Sequence, residues 1–351
     1  MDLFYEKILR PLFFRIGPER AHEYGRNFLQ TMSIVQPLCR LLARANQGGG
    51  ESVEVAGISF PNRVGLAAGM DKDAEFVPAS AAMGFGHVEV GTVTPKPQPG
   101  NPQPRLFRYP DHQAVVNRMG FNNHGMEAMA KRLKKLPPPG KRSCVVGVNI
   151  GKNKNTPLEE AVGDYLACFR HLVEFADYFT VNVSSPNTEG LRELQEKSRL
   201  LEILGSLQRE NSDSGSSRVP IFLKIAPDLS FHQIAEILEV IQESRVAGIV
   251  ATNTTIGRSF LPKDRSYEHG GLSGRPLQRR STDVVRFISK ETAGRLPLIG
   301  VGGIMDPASA GEKLDAGAHL VQLYTGWIYR GPFFAKTLAK GLRSYENRVW
   351  W

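Results

Sequence analysis

Thr180-Val181-Asn182-Val183-Ser184-Ser185-Pro186-Asn187-Thr188 begins as a strand and ends as a turn. From Tyr178 to Val183 β-branched and aromatic residues dominate, and Pro186-Asn187 forbids the strand from continuing. A barrel enzyme presents its catalytic groups at the ends of such strands. The segment therefore predicts the edge of an active site rather than a piece of core.

The same pattern recurs along the chain. Strand-like apolar runs at Val64–Ala68, His87–Val90, Val145–Ile150, Tyr178–Val183, Ile221–Ile225, Gly248–Thr252, Leu298–Val301 and Leu320–Leu323 alternate with helical stretches. Eight nearly continuous apolar strands separated by helices predict an α/β fold, a (β/α)8 TIM barrel. Loops are expected at Pro137-Pro138-Pro139-Gly140 and from Asn211 to Ser217, and long insertions at about 184–197 and 256–276. Upstream, Leu3, Phe4, Ile8, Leu12, Phe13 and Ile16 fall at helical spacing. Two more helices are expected from Pro18 to Met32 and from Pro37 to Ala45. Gln47-Gly48-Gly49-Gly50-Glu51 then reads as a flexible linker. The division predicted is a helical segment over 1–46 and a barrel over 52–351.

Composition narrows the class. The 351 residues carry 41% hydrophobic and 23% charged side chains, as a globular protein does. Cys39, Cys144 and Cys168 have neither metal spacing nor an even disulfide framework, which fits a reducing compartment and predicts no metal site. The formal net charge of +9 is dispersed and accompanies no nucleic-acid-reading motif. Basic residues near the N-terminus (Lys7, Arg10, Arg15, Arg20) favour a lipid surface over nucleic acid. No apolar run reaches the roughly 18 to 20 residues that span a bilayer, and no signal peptide is evident at the start, so membrane contact would be peripheral.

Each strand end adds polar or glycine-rich residues to one site. The first gives Ala68-Gly69-Met70-Asp71-Lys72, where small residues admit a planar ligand and Lys72 supplies charge. Thr92 closes the second, and Asn117-Arg118-Met119-Gly120-Phe121 follows downstream, dense in amides. Asn149 ends the third. Lys224 lies inside the apolar fifth strand, where an unpaired ammonium is costly, so either a Schiff-base nucleophile or a fixed charge beside an electron-rich cofactor is expected. Thr252-Asn253-Thr254 ends the sixth. Gly302-Gly303 after the seventh and Tyr324-Thr325-Gly326 after the eighth fit the barrel phosphate site, implying a nucleotide-like cofactor. Ser185 is the candidate base, a poor one unless a water chain or neighbouring hydroxyl removes its proton.

Taken together these motifs, with Ser273-Gly274-Arg275-Pro276 and the N-terminal Pro18-Glu19-Arg20-Ala21-His22, resemble the class 2, membrane-associated dihydroorotate dehydrogenases of bacterial type. The resemblance implies an FMN flavoprotein, an oxidoreductase that converts (S)-dihydroorotate to orotate in pyrimidine biosynthesis and passes the electrons to a membrane quinone. It gives Ser185 the C5 proton. It places Asn117, Asn182, Asn187, Asn253 and Thr254 on the pyrimidine within a substrate wall that includes Arg118, Met119, Gly120 and Phe121, and Lys72 on the carboxylate. FMN would be held by Ala68, Gly69, Met70, Asp71, Lys72, Thr92, Asn149, Asn182, Lys224, Thr252, Gly274, Gly303, Tyr324 and Thr325. Lys224 would then stabilise negative charge at the flavin N1/O2 edge. His22 and Arg108 match polar residues near the quinone site. The implied location is the cytoplasmic side of the cell inner membrane, held peripherally by the N-terminal helices. The competing expectations are a soluble flavin enzyme using fumarate or NAD, an aldolase using Lys224, and a membrane-binding scaffold.

Overall fold

A computed structural model describes residues 3–47, 52–213, 218–259, 261–262 and 266–346. The chain opens with a π-helical turn, Tyr5–Leu9, followed by helices α1 (Arg10–Arg15), α2 (Pro18–Ile34) and α3 (Gln36–Gln47). The glycines and Glu51 of the expected linker lie outside the described residues. A short hairpin, β1 (Val53–Val55) and β2 (Ile58–Phe60), precedes the first barrel strand, β3 (Val64–Leu66). Then come α4 (Val77–Ala82), β4 (His87–Val93), β5 (Leu106–Tyr109), β6 (Ala114–Asn117) and α5 (Gly125–Leu133). The middle of the chain forms β7 (Val145–Ile150), α6 (Ala161–Leu172), β8 (Tyr178–Asn182), α7 (Lys197–Asp213), β9 (Ile221–Ile225), α8 (Phe231–Ser244) and β10 (Gly248–Ala251). The last part comprises β11 (Gly271–Gly274), α9 (Gln278–Glu291), β12 (Leu298–Val301), α10 (Pro307–Asp315), β13 (Leu320–Leu323), α11 (Thr325–Arg330) and α12 (Phe334–Glu346).

β3, β4, β7, β8, β9, β10, β12 and β13 close into one parallel barrel. Every residue of these strands is buried, which is why they read as unbroken apolar runs rather than alternating ones. Helices pack outside, and the main core lies between them and the barrel wall. The hairpin seals the N-terminal mouth: Val55 and Phe60 join a cluster with Val145, Tyr178, Phe222, Ile299 and Leu320 from the beginnings of the strands.

Two features depart from the sequence expectation. The segment read as a loop from Asn211 is helical through Asp213, with 214–217 outside the described residues. An antiparallel sheet in the order β11-β6-β5 is drawn from the loops after two distant barrel strands. In it Gly271 stands opposite Asn117 and Gly274 opposite Ala114, so the late insertion folds back onto the early one. Among the described residues no helix is long and apolar enough to cross a membrane.

Candidate active site

The C-terminal ends of the barrel strands surround a cavity of about 1000 Å³ including its open mouth. Ala68, Gly69, Lys72, Thr92, Asn117, Met119, Gly120, Phe121, Asn182, Ser185, Asn187, Lys224, Thr252, Asn253, Thr254, Gly274, Gly303, Tyr324 and Thr325 line it. These residues are scattered over more than 250 positions and converge because a parallel barrel sends every strand end to one rim.

Ser185 sits at the turn after β8, only 6% exposed. Its Oγ accepts from the Asn187 backbone N–H at 3.3 Å, an Asx-like local closure that fixes the hydroxyl on the wall. Around it the amides form two hydrogen-bonded groups. Asn187 Nδ2 donates to Asn117 Oδ1 at 3.1 Å. Asn253 Nδ2 donates to Ser184 Oγ at 3.0 Å and to Asn182 Oδ1 at 3.3 Å. Asn182 Nδ2 donates to Thr92 Oγ1 at 2.8 Å. Arg192, which the sequence reading did not single out, pins the two loops together by donating to the carbonyls of Ser184 and Thr254, both at 3.1 Å. Amides bonded to their neighbours are held rigidly, and their remaining donors and acceptors offer a hydrogen-bonding wall to a planar polar ligand.

Below this wall lies a buried charge pair. Lys224 Nζ is 3.6 Å from Glu89 Oε1, with both side chains nearly or wholly inaccessible. Glu89 also accepts from Asn149 Nδ2 at 2.8 Å, Gln322 Nε2 at 2.9 Å and Thr180 Oγ1 at 3.1 Å. Burial alone would push its carboxyl up; the Lys224 ammonium and these donors outweigh burial and hold it below the ordinary glutamate value. Neither Glu89 nor Gln322 was expected, although both are polar residues inside apolar strands, the signal that exposed Lys224. Gln322 Oε1 is buried on the cavity side with no partner among the described residues.

Another part of the wall is glycine backbone and a helix start. Gly302 and Gly303 follow β12 with φ of +121° and +74°, and a Cβ on Gly303 would meet Gln278 Cα at 2.3 Å. Tyr324 and Thr325 open the short helix α11, and Thr325 Oγ1 lies 2.8 Å from Ser273 Oγ on β11. This is where barrels hold phosphate, with backbone N–H groups directed at it. Glycine backbone, an orphaned acyl oxygen on Gln322 and the Lys224 cation together fit a flat phosphorylated heterocycle.

Six expected site residues do not line the cavity. Met70 and Asp71 are buried behind the first loop, where Asp71 accepts from the N–H groups of Glu75 and Phe76 at 2.8 and 2.9 Å. Asn149 lies one layer deeper, accepting from Thr92 and donating to Glu89. Arg118 turns outward to Glu268 at 3.0 Å. Arg108 donates to the carbonyls of Phe13 and Ile16 and covers the Phe14 ring at 4.4 Å, so it anchors the N-terminal arm. His22 is half-buried on α2; burial, with Lys72 and Arg26 nearby, drops its pKa to about 3. Lys72 itself is lowered to about 8, chiefly by burial.

A second link ties α2 to the amide wall. Glu19 Oε1 accepts from Arg105 Nε at 2.8 Å, and Arg105 Nη1 donates to the Asn101 carbonyl at 3.0 Å. Asn101 in turn donates to the Asn187 carbonyl at 3.1 Å.

Glycine backbone after β12, a buried cation and an amide wall, all on one barrel rim, fit a cofactor-using barrel oxidoreductase. A family model described as dihydroorotate dehydrogenase matches residues 51–345, and the chain belongs to that family, whose members are flavin-dependent. It is 51% identical over 348 residues to a Salinispora arenicola protein named dihydroorotate dehydrogenase (quinone), covering 97% of this chain and all of the relative. A protein of the same name from Christiangramia forsetii is 48% identical over 336 residues, 95% of this chain and 97% of the relative. A crystal structure of Eimeria tenella DHODH in complex with ferulenol superposes with a TM-score of 0.81 at 37% identity, covering 95% of this chain and 92% of that one.

Proposed function

We propose that this protein oxidises (S)-dihydroorotate to orotate with FMN and passes the electrons to a membrane quinone. The observation that carries the reading is the joining of Ser185, the amide wall and Lys224 in one cavity with a phosphate cradle. Asn117, Asn182, Asn187, Asn253 and Thr254 hold the pyrimidine edge, and the Lys72 ammonium pairs with the substrate carboxylate. An analogue unable to make these bonds would leave buried amides unpaired, which is how such a wall discriminates.

Ser185 Oγ accepts the C5 proton while its own proton leaves through water or a neighbouring hydroxyl. The bound flavin supplies the two-electron acceptor for the hydride at C6. Lys224 would set a fixed positive charge beside the electron-rich cofactor, and Glu89 holds that side chain in place. Gly303, Tyr324 and Thr325 would hold the phosphate. Met119, Gly120 and Phe121 close the wall and exclude water.

The helical segment 1–46 supplies the membrane contact on the inner, cytoplasmic face. Leu3, Phe4, Ile8, Leu12, Tyr24, Phe28, Ile34, Leu38 and Leu41 are all at least 46% exposed there, a pattern suited to burial in a bilayer interface. His22, on that arm and near Lys72, stands where a quinone headgroup would approach. Anaerobic mixing with dihydroorotate should bleach the yellow chromophore within the turnover time, and a quinone, not fumarate or NAD, should restore it. A colourless protein, or a flavin reoxidised only by fumarate or NAD, would overturn the reading.

A further inference from the structure

A second cavity, about 1280 Å³ including its mouth, lies between α3, α4 and the loop leading into β7. Arg40, Arg44, Lys141 and Arg142 line it, and among the described residues no carboxylate does. Arg142 is neutralised by Asp177, 3.3 Å from its Nη1. Arg40 Nη2 donates to Oε1 of the uncharged Gln36 at 3.4 Å. Cations gathered on a concave wall focus positive potential into the space between them.

Helix α3 shows why this cavity stands where it does. Cys39, Ala43 and Asn46 are its buried face. Gln36, Arg40, Arg44 and Gln47 recur at helical spacing along the flank that lines the cavity. A third face carries Leu38 and Leu41, 46% and 64% exposed, and Ile34 and Val35 just before the helix are 80% and 51% exposed. Leu41 and Arg44 are three residues apart, hence neighbours on the helix surface. The basic cavity thus opens directly beside an exposed apolar strip.

We propose that this cavity binds the phosphate of an anionic phospholipid, its acyl chains lying along the Leu38–Leu41 strip. The site rests on the reading of the N-terminal helices as a bilayer-facing segment and makes that reading specific for headgroup charge. Guanidinium forks match phosphate oxygens in pairs. A free phosphate would satisfy the same cations, but it has no use for the apolar strip beside them.

The test uses the full-length flavin-loaded enzyme and vesicles of phosphatidylcholine, alone or with phosphatidylglycerol. A basic group near an anionic leaflet is worth about fivefold in partitioning, so three together give on the order of a hundredfold preference for the anionic vesicles. Replacing Arg40, Arg44 and Lys141 by Gln should remove most of that preference and leave turnover with dihydroorotate and a soluble dye unchanged. A control triple on the barrel flank, Arg279, Lys290 and Arg295 to Gln, should keep it. Equal losses in both triples would overturn the proposal, because bulk charge would then suffice. So would wild-type binding to pure phosphatidylcholine with no anionic preference, which would spare the apolar strip while removing the headgroup site. Failure to bind either vesicle would defeat the bilayer reading as well. Protection from thermal unfolding by millimolar inorganic phosphate, lost in the first triple and unaccompanied by lipid preference, would assign the cavity to a soluble anion instead.

Discussion

Replacing Glu89 by Gln removes one charge and leaves the shape of the side chain intact. Over the 3.6 Å that separate Lys224 from Glu89, the attraction at an effective dielectric of about 20 is roughly 4 to 5 kcal/mol. The variant should therefore be destabilised by about 3 to 5 kcal/mol, the range found when one partner of a buried pair is removed. Urea unfolding of the flavin-free protein, wild type beside variant, measures the deficit, and the double variant Glu89→Gln/Lys224→Met should recover much of it. A deficit below about 1 kcal/mol, or one that adds independently of the Lys224 change, would refute the pairing argument.

Four further outcomes are expected. Ser185→Ala should keep its flavin yet lose at least about 100-fold in the rate of flavin reduction near neutral pH, as removal of a general base does; near-normal reduction in stopped flow would exclude Ser185 as the proton acceptor. Because Lys72 has its pKa lowered to about 8, its positive charge is present below that pH and lost above it, so KM for dihydroorotate should climb as pH passes about 8. A steady KM from pH 7 to 9.5 would remove Lys72 from the carboxylate site. Gly303→Ala, whose new Cβ would press on the α9 backbone, should weaken flavin retention on a desalting column while leaving the far-ultraviolet circular dichroism unchanged. Phe28→Ser with Leu41→Ser should cut association with phosphatidylcholine vesicles and quinone turnover, but not flavin reduction by dihydroorotate.

The barrel was legible because its strands are buried on both faces, and burial of that kind writes long apolar runs. Ile221–Ile225, Leu298–Val301, Leu320–Leu323 and Val145–Ile150 coincide with the observed strands. The β11-β6-β5 sheet was not legible. Its strands are four residues each, and Gly271 finds its partner Asn117 more than 150 positions away, so no local pattern announces the pairing. The rim residues could be named from polar strand ends, but depth could not. Met70 and Asp71 lie next to cavity-lining residues in sequence, and Asn149 stands near the end of a barrel strand, yet all three are behind the wall. Glu89 and Gln322 carried the same signal as Lys224, a polar group in an apolar strand, and only their convergence in space shows that the three form one unit. Arg108 illustrates the converse: a cation beside the arm whose donors are taken by the carbonyls of Phe13 and Ile16.

The β1–β2 hairpin that stoppers the barrel has a bearing on the order of events. With Phe60 and its neighbours filling the lower mouth, the barrel is a blind vessel, loaded and emptied from its upper rim. Whatever rests deepest, against Lys224 and Gln322, must go in before the ligands of the amide wall and cannot leave past them. Its residence is therefore governed less by the strength of its own contacts than by the traffic above it. A tight cofactor in this fold is partly a trapped one, and its escape should slow when the substrate wall is occupied.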